Sequence, residues 1–229
     1  MKKIVIGMFG LMLASSLTLA APVVYNDATG DLGAAPDNFT AFTHLDISSV
    51  TVDSDGTSLF ISLAVVQNPI TVPNNWGKYM ISFDTTAGGD TASNGTGRPI
   101  SMSTGMDYWL DTWVDAGGGA TLHQYTGAWA PVGGQGFLVG AGVDFTIPLA
   151  ALGLSVGDSF TFDVYSSGGG GSDGAVDALS LGTPSITTWG GSYNTGANGL
   201  SYTVVPEPSS LALLGAAGLL AMVRRFRRK

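Results

Sequence analysis

The sequence predicts an all-β protein, an antiparallel β-sandwich of jelly-roll type, with an N-terminal signal peptide and a C-terminal hydrophobic sorting helix. Three observations carry this. Residues 21–205 hold sixteen Asp and no Glu, and Asp favours turns and strand ends where Glu favours helices. The same stretch alternates short β-branched and aromatic runs with Gly- and Asn-rich punctuation, the pattern of strands joined by tight turns. No long segment repeats its apolar residues at helical spacing, so eight to ten short strands packed as a sandwich are expected.

The elements follow in order. Residues 45–52 and 58–66 flank Asp53-Ser54-Asp55-Gly56-Thr57, and Asp-Gly between two β-branched runs marks a hairpin. Further strands are expected at 79–83, 99–102, 108–114, 120–125, 137–147, 160–165 and 200–204. The run Pro148-Leu149-Ala150-Ala151-Leu152-Gly153 reads as one helical turn, with Pro early and Gly as its stop. His44 and His123 fall inside strand patterns, whereas Trp76, Trp129 and Trp189 fall in loop-like surroundings. The four glycines 168–171 are too few for a domain linker and cap a loop.

The two ends read as addresses. Met1-Lys2-Lys3, an apolar run from Ile4 to Leu13 and a small-residue zone ending Thr18-Leu19-Ala20-Ala21 form a signal peptide, residues 1–20, cut after Ala20. A retained anchor would need an apolar run nearer 20 residues. Residues 21–205 are then the β-sandwich domain. Residues 206–229 open with Pro206-Glu207-Pro208, continue through the uncharged stretch Leu211 to Val223, and close on Arg224-Arg225-Phe226-Arg227-Arg228-Lys229. The apolar stretch is marginal for a bilayer span, and the closing cations would stay on the cytoplasmic side.

This three-part tail resembles a PEP-CTERM sorting signal, carried here by Pro206, Glu207 and Pro208, the apolar segment, and Arg224 and Arg225. The resemblance implies recognition by an exosortase-type sorting enzyme and a transient hold on the inner membrane. It further implies removal of the tail and delivery to the cell surface or an extracellular matrix rich in exopolysaccharide. An ordinary single-pass tail anchor is the alternative.

Composition narrows the chemistry of the domain. Lys78 and Arg98 are its only cations against sixteen Asp, a net charge of −14, so no basic patch is available to meet nucleic-acid phosphates. No Cys is present, which removes disulfides, thiolate metal sites and thiol nucleophiles. The glycine runs lack the Gly-Lys-Ser/Thr ending of a phosphate-binding loop. Two isolated His give neither a zinc set nor a base with its orienting partner, so no enzyme is expected.

Two features could carry function. In a strand over 107–115, alternation puts Tyr108, Leu110, Thr112 and Val114 on a core face. Asp107, Trp109, Asp111, Trp113 and Asp115 share the opposite face. Flat indoles interleaved with hydrogen-bond-accepting carboxylates suit a sugar ring, so these five are the candidate carbohydrate-binding residues; the alternative is that the two Trp pack beneath a loop. The second feature is Asp spacing. Asp27 with Asp31, Asp84 with Asp90, and Asp173 with Asp177 each bracket a short, glycine-containing loop, and calcium takes six to eight oxygens from carboxylates and backbone carbonyls. These six are the candidate metal ligands, calcium the candidate cofactor, and solvated turn residues the alternative.

The domain is also similar to family 9 carbohydrate-binding modules and their DOMON-like relatives. Asp27–Asp31, Leu45-Asp46-Ile47, Asp55-Gly56-Thr57-Ser58-Leu59, Tyr79-Met80-Ile81-Ser82-Phe83-Asp84, Ile147-Pro148-Leu149 and Val156-Gly157-Asp158 carry that resemblance. It implies a sandwich that often holds calcium, with sugar clamped by tryptophans in some members. Together these readings predict a secreted, surface-sorted, non-catalytic protein that binds matrix polysaccharide, or else a structural matrix protein stabilised by divalent cations.

Overall fold

The computed structural model describes residues 21–206 apart from residue 116. The expected signal peptide and the sorting segment from Glu207 onward lie outside the described residues. The described chain is all β apart from four 3-10 turns, and every strand pairing but one is antiparallel.

The predicted hairpin forms. β2 (Ile47–Ser54) and β3 (Ser58–Val65) pair in register from Val52↔Ile61 to Ser54↔Leu59. Gly56 takes the positive φ of 81° that the turn needs, and Asp55 Oδ1 accepts the Thr57 and Ser58 amide protons. β1 (Val23–Asn26) adds to β2 on one side; β10 (Val143–Pro148) and β9 (Gly136–Val139) add to β3 on the other. The first sheet is thus ordered β1-β2-β3-β10-β9. The single strand expected over 137–147 is two strands. Gly140 and Gly142 close a tight turn between them, and a side chain at Gly142 would strike the Leu63 carbonyl.

The second sheet is built on β11 (Ser159–Ser167), β4 (Lys78–Asp84), β6 (Tyr108–Trp113), β7 (Gly119–Tyr125) and β8 (Trp129–Gly134), neighbours in that order. β12 (Ala175–Ala178) and β14 (Leu200–Thr203) pair with opposite ends of the free edge of β11. Trp129 therefore begins an edge strand and is not in a loop. The short pair β5 (Ile100–Ser101) and β13 (Tyr193–Asn194) is parallel. Leu149–Leu152 forms the expected helical turn, stopped by Gly153 at φ 66°.

Alternation along the strands sends Val50, Val52, Leu59, Ile61, Phe145 and Ile147 of the first sheet against Ile81, Phe83, Leu110, Leu122, Phe162 and Val164 of the second. The outer face of the second sheet is buried as well. Met80, Trp109 and Tyr165 lie under Leu32, Phe39, Leu45, Ile100, Met102 and Met106 from the loops, the 3-10 turns and β5. His44 belongs to this cover: it sits in the 3-10 turn Thr43–Leu45, not in a strand. The domain closes where Ser54 Oγ donates to the Val205 carbonyl at 2.8 Å and accepts from the Val205 amide at 3.1 Å.

Candidate metal centre

Three aspartates from distant parts of the chain, Asp31, Asp46 and Asp177, converge where the two sheets adjoin, and Asp27 lies near enough to act on their charge. Asp27 follows β1, and Asp31 lies in the loop after it. Asp46 immediately precedes β2, and Asp177 lies on β12. Gly30, at φ 78°, turns the loop so that its amide donates to Asp46 Oδ2 at 2.9 Å. Asp177 Oδ2 accepts the Ile47 amide proton at 2.7 Å and Oδ1 that of Ala178 at 2.8 Å. Asp27 Oδ1 accepts from the Ala28 amide at 2.8 Å. Backbone amides thus orient one oxygen each of Asp27 and Asp46 and both of Asp177.

The remaining oxygens converge without partners. Oxygens of Asp31, Asp46 and Asp177 lie within 4.8 Å of one another. Asp46 is 2% exposed and Asp177 1%. Asp27 Oδ2, both oxygens of Asp31, and Asp46 Oδ1 are buried without a hydrogen-bond partner. Burial of an unpaired carboxylate is costly, and the titration behaviour reflects it. Burial first, then the Asp27 charge, pushes Asp177 up to about 9. Burial and the charges of Asp31, Asp163 and Asp46 push Asp27 up to about 7 despite the Ala28 hydrogen bond. Asp31 and Asp46 are raised by burial as well. Such a set is either largely protonated or neutralised by a cation. Its donors are all oxygen, some already held by backbone hydrogen bonds, and this suits a hard ion, calcium before magnesium because the set is irregular.

The spacing argument paired Asp27 with Asp31 and Asp173 with Asp177; Asp31 and Asp177 lie in the converging group, and Asp27 acts on the charge of Asp177 from beside it. Its other pairings do not recur. Asp173 accepts from the Gly170 amide at 2.8 Å within its own loop. Asp90 is engaged by the Ala92 and Ser93 amides, Ser93 Oγ and Trp129 Nε1. Asp84 lines an open groove with Thr85, Thr86 and Thr104. None of these three joins a converging group among the described residues. Asp46 was missed as a ligand because it reads as a strand residue. The available signal was a lone carboxylate between Leu45 and Ile47, both of which are fully buried.

The sugar-facing row is corrected at two positions. Trp109 is 0% exposed, stacks on Tyr165 at 5.8 Å between centroids, and donates from Nε1 to Thr96 Oγ1. It offers no face to a ligand, because this end of the row lies under the second core and not in solvent. Asp107 is buried too, its Oδ2 accepting from the Thr85 and Thr86 amides. Asp111 and Trp113 are half-buried, and Asp115 is exposed and paired with Lys78 at 3.1 Å. The expectation of a non-enzyme took the chain to hold no Gly-x-Ser-x-Gly, which is wrong: Gly153-Leu154-Ser155-Val156-Gly157 and Gly170-Gly171-Ser172-Asp173-Gly174 both have that spacing. The first leads into β11 and the second into β12, neither into the helix of a hydrolase elbow.

No curated protein matches the chain. Residues 204–229 match the PEP-CTERM protein-sorting motif, a match that contains Pro206, Glu207, Pro208, Arg224 and Arg225 and does not extend into the sandwich. The likeness of the sandwich to carbohydrate-binding modules gains nothing from it. The motif begins at Val204, one residue beyond the last strand of the folded domain, and marks the chain as an exported, surface-sorted protein bearing a PEP-CTERM sorting signal.

Proposed function

We propose that the domain is a non-catalytic structural component of the extracellular polysaccharide matrix, its sandwich completed by one Ca²⁺ held by Asp27, Asp31, Asp46 and Asp177. The single observation that carries this is the set of buried, unpartnered carboxylate oxygens in that cluster. An exported protein meets millimolar calcium outside the cell, where even weak extracellular sites fill. A cation bound there ties the N-terminal loop and β2 of one sheet to β12 of the other, so the fold is locked only after export. The sorting motif supports an exosortase-type enzyme as the partner that delivers the chain.

The test uses the full chain in mild detergent, treated with EDTA and dialysed. Calcium is expected to raise Tm with a stoichiometry of one per chain by calorimetric titration, and magnesium to raise it less. Asp46→Asn removes the response. An unchanged Tm with no binding heat at millimolar calcium overturns the reading.

A further inference from the structure

The two residues that follow β14 are fastened to the fold at every backbone group. Val204 is 1% exposed. Its amide donates to the Asp158 carbonyl at 2.8 Å, and its carbonyl accepts from the Gly157 amide at 2.8 Å. Ser54 Oγ holds both the carbonyl and the amide of Val205. The one proton of that hydroxyl goes to the Val205 carbonyl, so Tyr202 Oη donates in its own contact with Ser54 Oγ at 3.1 Å. The Ser54 hydroxyl is then fully used. Val205 also packs its side chain on the main core.

Pro206 is exposed and opens Pro206-Glu207-Pro208, so no linker residue separates the fastened chain from the motif. It passes close to the β2–β3 turn, where a Cβ at Gly56 would stand 3.8 Å from the Pro206 Cα. On the other side only residues 207–210 precede the uncharged stretch that begins at Leu211. The Cα atoms of Pro206 and Leu211 can therefore be at most about 18 Å apart. While the apolar stretch is held in a membrane, the motif has little slack on either side.

A cleft that takes an extended peptide binds it through main-chain hydrogen bonds. At Val204 and Val205 those groups are already occupied. We propose that the Ser54–Val205 clamp gates removal of the sorting tail, the motif being cut in an open form in which Val204 and Val205 have peeled from the fold. Opening breaks the four hydrogen bonds that hold these two residues and exposes Val204, so the rate of cutting follows the population of the open form. The cut breaks one peptide bond of the tail. Its carbonyl carbon is taken by the oxygen of water or the nitrogen of an acceptor amine, and the proton this nucleophile gives up goes to the leaving amine. The fold thereby slows its own release and keeps the domain at the membrane until the enzyme captures the open form. The gate presupposes the tail-cutting enzyme of the proposed function and is independent of calcium.

Pulse–chase of the full chain in the organism that produces it follows tail removal, with an antibody to the sandwich and the cut confirmed by mass. Hydrogen exchange of the purified full chain in mild detergent reads the Val204 and Val205 amides. Ser54→Ala, which removes both Val205 bonds, should speed amide exchange and tail removal alike, each by roughly fivefold or more. A Gly-Ser-Gly-Ser spacer inserted between Val205 and Pro206 leaves the clamp shut and gives the motif slack. It should speed removal without changing exchange, and it stands in for Ser54→Ala if that variant fails to fold. Asp163→Ala, which weakens the domain at Ser180 and Thr195 and not at the clamp, should lose its tail at the wild-type rate. Equal removal rates in the wild type, Ser54→Ala and the spacer variant overturn the gate and leave the sorting reading intact, as does removal slowed by the spacer. Equal acceleration by Asp163→Ala and Ser54→Ala overturns it too, because removal then follows global unfolding. Retention of the tail in every variant overturns the gate together with the enzyme it presupposes.

Discussion

Asp177 accepts the Ile47 amide proton at 2.7 Å across 130 positions of chain. Strand β12 at the edge of one sheet is thereby fastened to the first residue of β2 in the other. A carboxylate held by a backbone amide in this way is fixed in direction, and Asp27 and Asp46 are likewise each held through one oxygen by a backbone amide. The cluster follows from where the chain crosses between sheets, and its burial couples folding to protonation.

The coupling has a sign. Asp177 and Asp27 are raised to about 9 and about 7, and buried Asp163 to about 6, all from 3.8. Groups raised on folding bind more protons in the folded state, so their stabilisation is complete below the unfolded value and is lost as pH rises through the folded ones. The cation-free chain should therefore lose stability steadily from about pH 4 to 9. Under the proposed function calcium would bind the ionised carboxylates, so saturating calcium should flatten or reverse that slope. Urea midpoints at several pH values, with and without calcium, check both limbs.

Asp177→Asn should separate repulsion from ligation. Without calcium the variant is expected to differ little from the wild type near pH 8, where a carboxyl raised to about 9 is still mostly protonated, and to be the more stable of the two above pH 9, where the wild type must bury the charge. In calcium at one hundred times the wild-type Kd it should lack the roughly 2.7 kcal/mol gained by the wild type. Equal gains in both proteins would count against the cluster as the binding site.

Trp109→Ala should cost about 3–5 kcal/mol, the range for truncating a large buried aromatic side chain, since the indole is fully buried against Tyr165. Chemical denaturation checks this.

Asp163 accepts from Ser180 Oγ at 2.7 Å and Thr195 Oγ1 at 2.8 Å on one oxygen, and from the Val164 amide at 2.9 Å on the other. Asp163→Ala leaves those donors buried and unpaired, and a loss of at least about 2 kcal/mol is expected in urea. Gly105, at φ 100° with the Gly88 carbonyl where a side chain would stand, should lose more than about 1 kcal/mol on change to Ala.

Much of this was legible in the residues. Asp-Gly between β-branched runs gave the hairpin of β2 and β3, Pro148 and Gly153 bounded the helical turn, and Pro206-Glu207-Pro208 with the terminal arginines gave the sorting signal, because each is a local rule that neighbours in sequence satisfy by themselves. The even side of β6 was assigned to the core correctly for the same reason: period-2 alternation is a property of one strand. What lies over the odd side is not. Trp109 became a core residue because loops 30–45 and 85–106 fold over that face, and alternation distinguishes two faces without saying which of them meets water. Asp46 and Asp177 joined Asp27 and Asp31 only when two sheets were set against each other. The sequence by itself determined the all-β class, the β2–β3 hairpin, the helical turn and the sorting signal. The tertiary structure decided which carboxylates share a site and which indole can still be reached, since burial and convergence depend on contacts between segments far apart in the chain.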